Sequence, residues 1–234
     1  MARPHKVVAT VSPPELSAPS RLDQALDELE LIATATQKAA LLEYLAQLLR
    51  WNKTYNLTAI RDPAQALTQH IFDSLSVIAP IQRRRANQSG RTSRLIDVGS
   101  GGGLPGVVLA IMIPEAQVIC VDAVEKKTTF VRQMAGVLTL PNLTARHARI
   151  ETLEPLDATV VISRAFATLQ DFAQLAGQHV CCNGELVAMK GKPPTDEIPS
   201  LESLTPWTIQ LVESLTVPEL SAQRCLVWMQ RKGT

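Results

Sequence analysis

Several features that would narrow the function quickly are missing from this chain. Its four cysteines, Cys120, Cys181, Cys182 and Cys225, include no C-x-x-C pair. Three of them sit in apolar, strand-like surroundings, which reads as buried reduced thiols rather than a disulfide or metal framework. The four histidines, His5, His70, His147 and His179, make no H-x-x-x-H spacing, so no bound metal is expected. No apolar run approaches the ~18 residues needed to cross a bilayer, and the N-terminus lacks a signal-like apolar region. An excess of one charge is missing too, since 23 basic residues face 22 acidic ones for a net charge of +1. That balance neither demands nor excludes nucleic acid. A soluble, cytoplasmic protein is expected.

What is present supports a sizeable core. Apolar residues make up 46% and charged residues 19% of 234 residues, enough for one ordinary domain with an extension. Residues 1–20, with four prolines, read as a disordered tail. Residues 21–82 carry helical signals. Leu41, Leu45, Leu48 and Leu49 make an amphipathic stripe, and Asp62 with Pro63 offers an N-cap and first helical position. Residues 83–94 hold five arginines and no acid, which reads as an exposed basic connector.

From residue 95 to 234 the period changes. The runs "RLIDV", "AQVICV", "NLTAR", "DATVVIS" and "GELVAMKG" are short and β-rich, and helix-compatible segments separate them. Such alternation implies an α/β fold, a doubly wound, mostly parallel sheet with helices on both faces. Two last runs, "WTIQLVESL" and "RCLVWMQRK", are joined by a loop with Pro218 and read as a closing antiparallel pair.

The densest chemical signal is "DVGSGGGLPG", residues 97–106. In a doubly wound sheet, ligands sit at the carboxyl ends of the strands, where this loop falls. Gly99 can supply a tight turn, and Gly101 and Gly103 let a ligand approach the backbone. Gly101, Gly103 and Gly106 satisfy G-x-G-x-x-G, which keeps a dinucleotide open. Asp97 at the strand end would repel a pyrophosphate and attract an ammonium, which favours S-adenosylmethionine. Asp122 ends the next strand, where a carboxylate can accept both ribose hydroxyls. In "HARIE", Ile150 is placed to pack on an adenine face, and Glu151 or the adjoining backbone to bond its edge.

These motifs resemble those of the 16S ribosomal RNA methyltransferase G family, also called glucose-inhibited division protein B, within the class I S-adenosylmethionine-dependent methyltransferases. "WNKTYNLTAIRDP" and "HIFDSL" before the sheet, then "SRAFATL" and "MKG" after its fourth and fifth strands, carry the likeness over roughly residues 22–230. The resemblance implies a seven-stranded Rossmann-like sheet and methylation of guanine N7 in the decoding region of 16S ribosomal RNA, on naked RNA or on the small ribosomal subunit. It places cofactor contacts on Gly99, Leu104, Ile150, Glu151 and Arg164, with Asp122 on the ribose. Ala123 stands where family members often carry serine.

The segment at Arg164 lacks the N/D-P-P-Y/F motif of base-amine methyltransferases and any Pro-Cys pair. Guanine N7 carries a free lone pair at neutral pH, so no general base is expected, and catalysis reduces to alignment. For RNA, Arg83, Arg84 and Arg85 (with Arg91 and Arg94) form the densest basic run. Phe166 is placed near the target base, and Lys190 at the RNA or cofactor entrance. Two other readings stay open: an NAD(P)-dependent oxidoreductase, and a non-catalytic RNA-binding assembly factor that retains the fold.

Overall fold

The computed structural model describes residues 16–86, 93–164, 166 and 168–233. Residues 1–15 of the expected tail and Arg91 of the basic run lie outside it. The tail boundary moves, because Ser17 caps helix α1 (Ala18–Glu28), whose first residues fall within the expected tail. Helix α2 (Ala35–Tyr55) opens on a capping box between Thr34 and Gln37 and ends at Asn56 in the left-handed region. Asp62 then caps α3 (Pro63–Ala66), which continues through a π-helical turn (Leu67–Phe72) into α4 (Asp73–Leu75). Helix α5 (Ile78–Ala86) completes the N-terminal part.

The sheet has seven strands in the order β3-β2-β1-β4-β5-β7-β6. Strands β1 (Arg94–Val98), β2 (Gln117–Asp122), β3 (Leu143–His147), β4 (Ala158–Ser163) and β5 (Val180–Lys190) run parallel. Strand β7 (Arg224–Arg231) lies antiparallel between β5 and β6 (Trp207–Leu215), so the closing pair forms as expected. Helices α6 (Gly106–Met112), α7 (Glu125–Val137), α8 (Leu169–Ala176) and α9 (Ile198–Leu204) connect the strands, and only α9 is not anticipated by the sequence pattern.

Period-2 alternation divides each inner strand between two cores. Leu95, Cys120 and Ile162 face a core shared with Leu41, Tyr44, Val107 and Phe130. Ile96, Val121 and Val161 face a second one with Leu169, Phe172 and Leu201. The N-terminal helices therefore share the core on one face of the sheet, where α2 and α4 meet α6 and α2 also meets α7.

The basic connector is the main departure. Arg83, Arg84 and Arg85 belong to the last turn of α5, where cations suit the helix dipole. Arg83 pairs with Glu213, Arg84 with Glu185 at 3.2 Å, and Arg85 with Glu115 at 2.9 Å. The Arg84 guanidinium also lies over the Trp228 ring, 4.9 Å from its centroid.

Candidate functional site

Three hollows line up along the carboxyl ends of the parallel strands, and neighbours share residues. The first, about 240 Å³, is walled by Gly99, Asp122, Ile150, Glu151 and Phe166. The second, about 230 Å³, is formed by Gly99, Gly101, Leu104, Thr58, His70 and Arg164. The third, about 400 Å³, takes His70, Asp73, Arg164, Lys190, Arg224 and Ile60. Gly99 thus joins the first to the second, and His70 with Arg164 joins the second to the third.

Backbone geometry builds the glycine loop. Gly99, Gly101 and Gly103 adopt φ of 67°, 59° and 94°, a region that side chains disfavour. The three then differ in what surrounds them. A Cβ on Gly101, which lines the second hollow, would meet nothing within 4 Å, so that side of the backbone is open. A Cβ on Gly103 would stand 2.5 Å from Val107 Cγ2 and 3.0 Å from Val131 Cγ2. Packing inside the protein is therefore sufficient reason for glycine at 103. Gly106 likewise admits β2, since its Cβ would lie 2.3 Å from Cys120 Sγ.

Two carboxylates hold the loop, one at Gly101 and one at Gly106 where α6 begins. Asp122 Oδ2 accepts the Gly101 N–H and Oδ1 the Val124 N–H, each at 2.8 Å. Each oxygen takes a single N–H here and keeps acceptor capacity toward the first hollow. Asp97 is fully buried and accepts the Gly106 N–H through Oδ2 at 2.8 Å. Burial pushes its pKa up to about 7, against the Gly106 hydrogen bond and the Arg164 charge, which act downward. Near neutrality Asp97 is only partly charged, a weaker attraction for an ammonium than its position in the sequence implies. It also occupies the N–H with which α6 begins. Dinucleotide folds offer such N–H groups to a pyrophosphate, so this arrangement disfavours the oxidoreductase reading.

The N-terminal helices supply the rest, and here sequence reasoning missed most of the residues. Buried Tyr44 donates from its hydroxyl to Gly102 O at 2.7 Å, and burial raises its pKa well above the usual value, keeping it a donor. Asp73, 2% exposed, accepts from Arg164 Nη1 at 3.0 Å and Arg224 Nε at 2.9 Å. Arg164 also donates to Gln69 O in the π-helical turn at 3.2 Å. Turns of this kind concentrate at functional sites. His70 shares a 2.9 Å hydrogen bond with Thr58 Oγ1. Burial, then the nearby Arg164 charge, lowers its pKa to about 4, so the imidazole is neutral at physiological pH. A tyrosine inside an apolar stripe and a carboxylate inside an apolar helix were the available signals, because buried polar groups need partners.

Among the sequence-predicted residues, Gly99, Gly101, Leu104, Asp122, Ile150, Glu151 and Arg164 come together in the first two hollows. Lys190 lines the third and is held by Glu197 at 2.9 Å. Phe166 lines the first, stacked against Phe172 with ring centroids 5.0 Å apart, on the Asp122 side and not in the arginine-lined third hollow. Arg83, Arg84 and Arg85 line none of the three, and their charges are already paired with carboxylates. No three potential metal ligands stand together among the described residues, nor is any described helix long and apolar enough to cross a membrane.

Comparison with known proteins places this crevice. A family model described as rRNA small subunit methyltransferase G matches residues 37–227. A ribosomal RNA small subunit methyltransferase G from Bordetella pertussis is 64% identical over 212 residues, covering 90% of this chain and 92% of that protein. One from Methylibium petroleiphilum is 47% identical, covering 96% of this chain and all of that protein. Among solved structures, a SAM-dependent methyltransferase from Aquifex aeolicus shares the fold, with a TM-score of 0.52 at 14% identity over 72% of this chain and 98% of that one. With the match spanning most of the sheet, the glycine loop and the helices that complete the site, this chain belongs to the rRNA small subunit methyltransferase G family.

Proposed function

We propose that this protein methylates N7 of a guanine in 16S ribosomal RNA, in the cytoplasm, with S-adenosylmethionine as the methyl donor. The family membership supports the substrate class and the donor. The residues of the first two hollows fit that donor. Open space beside Gly101 leaves room for a ligand against the backbone, and Asp97 Oδ1 is buried without a hydrogen-bond partner. Asp122 would take the ribose hydroxyls, Ile150 and Phe166 the adenine faces, and Glu151 its edge. The bound donor supplies a methyl group made electrophilic by its sulfonium.

The observation that carries the acceptor assignment is the third hollow. Its walls present donors, Arg164, Arg224 and Lys190, with Asp73 already committed to two of them. Its imidazole, His70, is neutral and hydrogen-bonded to Thr58. Among the described residues no acid–base pair is assembled there to remove a proton, which suits a nitrogen whose lone pair is already free. The chain's part is to orient the base and to exclude water, an alignment effect that can be worth ~7–11 kcal/mol.

The test is transfer of labelled methyl groups to 16S ribosomal RNA from a strain lacking this protein, with mass mapping of the product nucleosides. Label in 7-methylguanosine is the expected result. Label in any other nucleoside would overturn the N7 assignment. Tight donor binding with no transfer to naked RNA or to small subunits would favour the assembly-factor reading instead.

A further inference from the structure

A fourth hollow lies outside the crevice, on the exposed side of the C-terminal half of α2. It measures about 330 Å³ and is lined by Leu49, Arg50, Asn52, Lys53, Arg61 and Pro63, without a carboxylate. Arg50, Lys53 and Arg61 are exposed, and none forms an ion pair with a described carboxylate. Arg61 donates only to a neutral group, Asn56 Oδ1, at 3.0 Å. Arg83, Arg84 and Arg85 make the contrast, each cancelled by a carboxylate. Three uncompensated cations around one concavity are the arrangement that phosphodiester groups seek.

This hollow is built into the reactive crevice through one residue. Asn52, a wall of the hollow and 3% exposed, donates from Nδ2 to Ile60 O at 3.1 Å and accepts the Thr58 N–H at 2.9 Å. Thr58 lines the glycine hollow and Ile60 the arginine hollow. The segment 57–60 is thus a shared wall, with free positive charge on one side and the methyl-transfer site on the other.

We infer that Arg50, Lys53 and Arg61 bind the phosphate backbone of the acceptor RNA next to the target nucleotide, so that the base reaches over Ile60 into the crevice. The inference rests on the reading of this chain as an RNA methyltransferase. It assigns the electrostatic contact to the end of α2 and the following segment, and not to the arginines of α5.

The test uses the full chain carrying Arg50→Gln, Lys53→Gln and Arg61→Gln together, with Arg83→Gln as the control. RNA binding by filter retention and single-turnover methyl transfer are both measured across a salt series. The triple variant should flatten the log–log salt dependence of RNA binding by about 2–3, at about 0.7–0.9 for each phosphate no longer neutralised. Its affinity for S-adenosylmethionine and its thermal midpoint should match the parent, because all three side chains are exposed. Arg83→Gln should leave the slope unchanged. A parent-like slope in the triple variant overturns the inference. So does weakened binding to assembled subunits with naked-RNA binding intact, which would place an acidic protein in the hollow. If the parent transfers no methyl group yet the triple variant still flattens the slope, the phosphate assignment stands and the enzymatic reading fails.

Discussion

Substituting alanine at Gly101 and at Gly103 should separate ligand space from packing space within one loop. At Gly101 the added Cβ meets no protein atom within 4 Å, and the penalty is the left-handed backbone at φ +59° alone. That conformation costs a non-glycine residue about 1–2 kcal/mol. For a chain of this size, each kcal/mol lowers the thermal midpoint by roughly 2–4 °C, so Gly101→Ala should fold with a midpoint ~2–8 °C lower. The new methyl would project into the second hollow, and S-adenosylmethionine affinity should fall at least ~10-fold, or about 1.4 kcal/mol. At Gly103 the Cβ would lie 2.5 Å from Val107 Cγ2, in addition to φ +94°. Overpacking adds about 1–3 kcal/mol to a comparable backbone cost, which predicts a loss of ~2–5 kcal/mol. Differential scanning calorimetry with titration calorimetry reads both quantities on each variant. A Gly101→Ala protein that binds the donor within twofold of the parent would refute the assignment of that space to a ligand. A Gly103→Ala protein as stable as the parent would refute the packing argument.

Asp122→Ala should weaken donor binding by ~10–100-fold and lower the midpoint as well, because Gly101 and Val124 lose their acceptor. Unchanged affinity by calorimetry would move the ribose contact elsewhere. Asp97 binds its proton more tightly folded than unfolded, so its contribution to stability is complete at low pH and is lost as pH rises from about 4 through about 7. The gap from 3.8 to about 7 corresponds to ~4 kcal/mol, and urea unfolding of the parent relative to Asp97→Asn should lose that much between pH 4 and 8; a constant difference would contradict it. Single-turnover rates, with donor and RNA held saturating at each pH so that the Asp97 titration falls on donor affinity, should stay nearly flat from about pH 6 to 8.5, since His70, lowered to about 4, does not change charge there. A rate climbing tenfold per pH unit, with chemistry limiting, would withdraw N7 as acceptor.

The fold and one side of the site were legible because the signals are local. Strand ends at Val98, Asp122 and His147 follow from β-rich runs that stop at Gly, Asp or polar residues, and doubly wound topology brings such ends together. The opposite side was not legible. Asp73 meets Arg164 across 91 positions and Arg224 across 151, and no periodicity records a pairing that distant. The ion pairs of the α5 arginines were hidden for the same reason. Their charge is plain in the sequence, but the carboxylates that cancel it are remote. Glu115 stands 30 positions from Arg85, Glu213 stands 130 from Arg83, and Glu185 meets Arg84 from strand β5. Glycines pose a related difficulty. Gly101 and Gly103 are equivalent in sequence, and only the positions of Val107 and Val131 tell which one borders open space.

The helices before the sheet, with the segment that follows α2, wall the same hollows as the strand ends, and this follows from how each of their polar groups is used. A sheet end supplies backbone and strand-terminal side chains, but it cannot close a crevice over them. Tyr44 fixes Gly102, Thr58 holds His70, and Asp73 gathers Arg164 from the end of β4 and Arg224 from the start of β7. Asp73 is buried between two cations that are themselves 30% and 27% exposed, so removing it would leave both without their anchor but open to water, at less than the ~3–5 kcal/mol of a fully buried pair. The guanidinium groups would then lose the orientation that lines the third hollow. Two strands that are not neighbours in the sheet are thereby tied to one carboxylate on a helix. The third hollow takes walls from both Asp73 of α4 and the arginines at the strand ends, so its shape depends on docking of the N-terminal helices.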